Sequence, residues 1–232
     1  MLAFFRSHGL TFACRALFAG VLLSTGAFAS VMAVGPGAFP PGSPILTFDG
    51  LAEGTEVNGL SYGGVSFTYT VGGSPLNGAV VIDGGPGMTN NIAPPNIVSV
   101  GNNAGTLNLV LPGASDLFGY GYALLASGTI ANATTISLFS GTTSVGSLSY
   151  SGAPDPAFTG GFAGIESTIP FDRVALTFES TQSLAFAVDN IRFVTVTNIP
   201  EPSTVLLAAA GLLLCISSKG FKALARRPRF AR

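Results

Sequence analysis

From Ile45 to Val194 the chain is a series of short runs in which apolar and polar residues alternate. Val65, Phe67, Tyr69 and Val71 are separated by Ser66, Thr68 and Thr70. That is period two over seven residues, the pattern of a half-buried strand. Val174, Leu176 and Phe178 alternate with Ala175, Thr177 and Glu179, and Leu184, Phe186, Val188, then Ile191 and Phe193, continue the pattern. Further runs predict strands at 45–48, 79–82, 97–100, 106–110, 118–125, 134–139 and 145–150. Turn chemistry separates them: Gly63-Gly64, Gly72-Gly73, Asn77-Gly78, Asp83-Gly84-Gly85, Pro94-Pro95, Pro112-Gly113 and Gly160-Gly161. About ten short strands in one domain predict an all-β fold, a β-sandwich of the jelly-roll kind. No helix of useful length is predicted in this region. No fixed period marks a propeller or solenoid.

Composition agrees. Among 232 residues, 47% are apolar and only 9% are charged, with 31 Gly, 15 Pro and no Trp. So few charges exclude a disordered acidic or basic tail protein.

The charges are segregated. All 11 acids lie between Asp49 and Glu201, while the basic residues gather at Arg6 and Arg15 and again from Lys219 to Arg232. Only Arg173 and Arg192 stand between, so the middle of the chain is strongly acidic. Basic ends around an acidic middle fit a chain whose ends face the cytoplasm and whose middle is exported.

Residues 1–29 read as a signal peptide. Arg6 and Arg15 form the positive region, residues 16–27 the apolar region, and Ala27-Phe28-Ala29 the small-residue cleavage site. Residues 30–44, rich in Pro and Gly, read as a loose lead-in, and 45–198 as the exported domain. Near the C-terminus, 205–218 form an apolar segment of roughly 21 Å as a helix, short of the ~30 Å hydrocarbon core. Lys219 and Lys222 can snorkel to extend it. This segment is expected to be a single transmembrane helix, with 219–232 as a basic cytoplasmic tail that includes Arg226, Arg227 and Arg229.

Ahead of that segment stands Pro200-Glu201-Pro202-Ser203-Thr204. Two prolines around a glutamate continue neither a strand nor a helix. A Pro-Glu-Pro motif, an apolar helix and an arginine cluster, in that order over 199–232, closely resemble the PEP-CTERM sorting signal of exported bacterial proteins. The resemblance implies a signal peptidase and an exosortase-type membrane peptidase as partners. It also implies transient anchoring in the inner membrane of a Gram-negative bacterium, then residence at the cell surface or in the extracellular matrix. Glu201 would be a substrate residue of the processing enzyme.

The exported domain resembles PEP-CTERM ectodomains with a carbohydrate-binding-module-like, galactose-binding-like sandwich. The matching pieces are Thr47-Phe48-Asp49-Gly50-Leu51, Gly64-Val65-Ser66-Phe67 and Val188-Asp189-Asn190-Ile191-Arg192-Phe193. The resemblance implies a non-catalytic domain that binds or structures exopolysaccharide.

The residue inventory excludes much chemistry. His8, Cys14 and Cys215 all lie outside 30–198, and that span has no Lys. Ser-His, Cys-His and Ser-Lys nucleophile systems are therefore absent there, as are His/Cys zinc sites and disulfides. Two arginines against ten acids disfavour nucleic acid. One catalytic alternative survives, a glycoside-active pair drawn from Asp49, Glu53, Glu56, Asp83, Asp116, Asp155, Glu166, Asp172, Glu179 and Asp189. A structural surface protein without a specific ligand is the third reading.

Calcium is the one cofactor this composition suits, because it takes carboxylate and carbonyl oxygens. If the first and last strands lie side by side, Asp49 and Glu53 after the first could converge with Asp189 between the last two. The alternative is that Asp49-Gly50 and Asp189-Asn190 are plain turns that cap their own backbone. For a ligand, Phe118, Tyr120 and Tyr122 share one face at period two, with Gly119 and Gly121 on the other. Exposed, the row could stack on sugar rings. Turned inward, it would be core, with the glycines letting another segment approach closely.

Overall fold

A computed structural model describes residues 30–86, 89–100 and 104–196. They form twelve strands and one short 3₁₀ turn at Pro36–Ala38. The strands are β1 (Val31–Ala33), β2 (Ile45–Leu46), β3 (Ser61–Tyr62), β4 (Val65–Val71), β5 (Ser74–Pro75) and β6 (Ala79–Ile82). Then follow β7 (Asn96–Ser99), β8 (Thr106–Leu124), β9 (Ile130–Ser140), β10 (Thr143–Pro154), β11 (Thr159–Phe178) and β12 (Phe186–Thr195).

The all-β expectation holds, but the strands are not all short. β8 runs 19 residues and β11 runs 20. Runs separated in the sequence by Pro112-Gly113 join into one strand, and Gly160-Gly161 lies inside β11. The two long strands bend together. Glu166 pairs with Leu117, Phe171 with Ser115 and Arg173 with Val110, so the register slips twice where Pro112-Gly113 and Pro170 sit. Proline has no N–H to give the ladder, so the chain turns there and leaves one sheet for the other.

Each long strand thus serves two layers. In the first, the order is β4, the start of β8, the end of β11, β9, then β10. In the second, the start of β11 pairs with the end of β8, followed by β12, β7 and β6. The layers face each other across one core. Tyr120 of the second layer packs edge-on against Phe178 of the first at 6.5 Å, and Phe178 stacks on Phe186 at 4.0 Å. Leu107, Leu109, Ile136, Leu176, Phe118 and Val188 belong to the same buried cluster.

Two further expectations change. The 30–44 segment is not a loose lead-in: β1 pairs with β11, and Phe39 is buried. The last strand is not split: Asp189-Asn190 is an irregularity inside β12, with Asn190 in the left-handed region at φ 51°. Asparagine tolerates that conformation because its short polar side chain bonds locally. The strand expected at 45–48, here β2, does lie beside the last strand β12, with Leu46 opposite Ile191 and Ile45 opposite Arg192. Residues 1–29 and 197–232, with the signal peptide and the sorting segment, lie outside the described residues.

Candidate functional site

Alternation puts the apolar half of each first-layer strand into the core and the polar half on the outer face. The register then lines up those outer residues across the strands. One row runs Ser149, Thr135, Thr177, Thr106, Thr70. The next runs Ser147, Ser137, Ala175, Asn108, Thr68. A third runs Ser144, Phe139, Arg173, Val110, Ser66. Strand spacing sets neighbours in a row about 4.8 Å apart, and rows about 7 Å apart.

This face carries hydroxyls, one amide and a single charge. Asn108 Nδ2 donates to Thr70 Oγ1 at 3.1 Å, and Thr135 and Ser149 hydroxyls pair at 2.8 Å. The Arg173 guanidinium lies over the Phe139 ring at 4.5 Å, with Val110 half-exposed beside it. The face can therefore offer many neutral hydrogen bonds, an apolar ring and one cation.

Of the two readings of the aromatic row, the inward one holds. Phe118, Tyr120 and Tyr122 are 0%, 0% and 1% exposed and point into the core. That corrects the exposed-row reading. The physical reason lies on the other side of β8, where Gly119 and Gly121 leave room for covering segments. A Cβ on Gly119 would stand 2.6 Å from the Phe162 ring and 3.0 Å from that of Phe39. The Tyr120 hydroxyl pairs with Thr134 Oγ1, and the Tyr122 hydroxyl donates to the Ser151 carbonyl at 3.1 Å. Burial pushes the Tyr122 phenol up to about 12 and raises Tyr120 as well.

The expected calcium trio is not one cluster. Asp49 and Glu53 are exposed, Asp189 is buried, and among the described residues no three His, Cys, Asp or Glu side chains gather to hold a metal. Glu53 sits in a turn tied to β6 by Gly54 N–H donating to the Val81 carbonyl. Asp49 accepts from the Thr47 hydroxyl at 2.7 Å, and its charge is felt by Asp189.

Asp189 lies on the outer face of the second layer, beneath the segment 89–95. Its Oδ2 accepts from Ala93 N–H at 3.1 Å, and its Oδ1 has no partner. Burial pushes its carboxyl up to about 6, and the Asp49 charge adds to the rise. One step beyond the last paired residues of β12 and β7, Val188 and Ile97, stand Asp189 and Asn96, on the same side as the buried Ala187 and Val98. Asn96 is fully buried, and neither its Oδ1 nor its Nδ2 has a partner. Sequence reasoning missed Asn96, since an asparagine before an apolar run reads as a strand boundary.

Three of the remaining acids hold loops. Asp155 accepts from Asn91 Nδ2 at 2.5 Å, Asp172 from Gly141 N–H at 2.8 Å, and Glu179 from Thr181 N–H at 2.6 Å. The hydrogen bonds from Thr181 hold the Glu179 carboxyl below its usual range. Ala27, Ala29, Pro200, Glu201, Pro202, Ser203, Thr204, Arg226, Arg227 and Arg229 lie outside the described residues.

No family model and no curated protein matches the chain. Solved structures with similarity include family 29 carbohydrate-binding modules. One mutant module is 9% identical with a TM-score of 0.38, covering 67% of this chain and 98% of that one. Another, complexed with cellulohexaose, is 8% identical with a TM-score of 0.37, covering 73% and 94%. At such values the chemistry of this chain has to be argued from its own surface.

Proposed function

We propose that this is an exported, non-catalytic β-sandwich protein that binds or structures extracellular polysaccharide at the cell surface or in the matrix. The observation that carries the reading is the outer face of the first layer, with its rows of Ser, Thr and Asn and the single cation Arg173. A neutral polysaccharide presents hydroxyls at every sugar. A periodic donor and acceptor surface with little charge matches it over several residues at once. Phe139, under Arg173, supplies one ring for stacking. The sorting signal supports export: cleavage after Ala29, retention by 205–218, and processing near Pro200-Glu201-Pro202 by an exosortase-type peptidase.

The test uses the purified full chain in mild detergent and a panel of neutral and acidic polysaccharides, read by gel retardation and calorimetry. Saturable binding to a neutral polymer without turnover is expected. Thr106→Val with Thr177→Val removes two adjacent hydroxyls while keeping shape, and should weaken binding about tenfold, two lost net hydrogen bonds. Retained affinity in that variant, or no binding to any polymer, defeats the proposal. Polymer cleavage lost on one Asp or Glu substitution would replace it with the glycoside-active reading.

A further inference from the structure

Five buried side-chain atoms among the described residues have no hydrogen-bond partner, and three belong to Asn96 and Asp189. The other two are the Nε atoms of Arg173 and Arg192. Buried polar groups are almost always paired, so three orphans on two residues at the end of one strand pair mark a place built for something else.

We propose that Asn96 Oδ1 and Asp189 Oδ1 are ligands of one calcium ion lodged between β7 and β12 beneath the 89–95 segment, with Asp49 at its rim. The two groups are an amide and a carboxylate, each with an oxygen that lacks a donor. Arg173 and Arg192 are the cationic side chains between residues 30 and 196, and neither pairs with Asp189 among the described residues. The buried charge of Asp189 is thus met by the backbone N–H groups of Ala93 and Asn190, without a cationic side chain.

A hard cation satisfies both oxygens and the charge together. Calcium suits the place better than magnesium, since it accepts a loose shell of carboxylate, amide and carbonyl oxygens, whereas magnesium keeps its own water. The covering segment is anchored independently. Asn190 Nδ2 donates to the Asn91 carbonyl at 2.8 Å, and Asn91 Nδ2 to Asp155. Compared with the trio read from sequence, Glu53 drops out and Asn96 enters. The site is on the second layer, so it stands or falls apart from the polysaccharide face.

The test strips the full chain with EDTA and follows its thermal midpoint during titration with calcium chloride and with magnesium chloride. Terbium luminescence provides a direct binding readout. A calcium-dependent rise, reversed by EDTA and weaker with magnesium, is expected. Asp189→Asn should raise the calcium concentration needed at least tenfold. Asn96→Asp adds a charged ligand and should lower it by about as much. Calcium binding unchanged in both variants overturns the proposal, as does a midpoint indifferent to millimolar calcium. If Asp189→Asn does not fold, Asn96→Asp decides alone. A destabilised variant that calcium does not rescue means a water-filled gap, and the proposal fails.

Discussion

Gly121→Ala separates two physical effects by sign. In a strand interior, replacing Gly with Ala removes backbone entropy from the unfolded chain and stabilises by about 0.5–1 kcal/mol. At Gly121 the added methyl has nowhere to go. It would stand 2.2 Å from the Asn91 carbonyl oxygen and 2.5 Å from Ile92 Cγ2. The 89–95 segment must then retreat by roughly 1 Å, at the 1–3 kcal/mol typical of overpacking.

Three hydrogen bonds stretch with that retreat: Asn190 Nδ2 to the Asn91 carbonyl, Asn91 Nδ2 to Asp155, and Ala93 N–H to Asp189. Losing one or two adds about 1–3 kcal/mol, more where the acceptor is charged. After the propensity gain, the net expectation is destabilisation by about 2–4 kcal/mol. Urea unfolding followed by far-UV circular dichroism measures it, since the chain has no Trp to report by fluorescence. Gly37→Ala, where a Cβ meets nothing within 4 Å, is the control and should change little. Gly121→Ala equal to or more stable than the parent would refute the seating of this segment on the sheet.

Phe118→Leu should lower stability by about 1–2 kcal/mol in the same assay. It should leave the polysaccharide affinity of the folded fraction within about twofold, because the ring is buried in the core. Tyr120→Phe removes the bond to Thr134 Oγ1 but leaves Thr134 donating to the Thr177 carbonyl, so about 1 kcal/mol is lost without a change in fold. The Tyr122 phenol is raised by burial to about 12, so the folded state holds its proton longer than the unfolded state. Its stabilisation is complete below pH about 10 and is lost as pH climbs through 12, up to about 3 kcal/mol. Tyr122→Phe should flatten that alkaline loss in unfolding measured across this range, and an unchanged slope would contradict the burial of the hydroxyl.

Alternation by itself determined the class of the fold and most inward-facing residues. Val65, Phe67 and Tyr69 point into the core as their period requires, as do Val174, Leu176 and Phe178. That information is local, since each side chain's face follows from its neighbours' positions along one strand. The bounds of β4 and β6 follow from the same signal. The reading failed where the sign of a local feature depends on distant chain. Pro112-Gly113 has the chemistry of a turn, and only pairing with β11 on both sides makes it a bend within one strand.

Two glycines beside three aromatic rings fit a solvent-facing platform and a core ridge equally well. What decided it was the arrival of Phe39, Phe162 and the 89–95 segment on the glycine side. The carboxylates show the same divide. Asp189 was legible as a candidate, because an acid between the last two predicted strands could meet Asp49 if the chain's outer strands lay together. Asn96 was not, because its significance lies in standing just beyond the β7–β12 pairing together with Asp189, 93 residues away in the chain. Cross-strand register is a tertiary quantity, set by how layers pack and where strands bend.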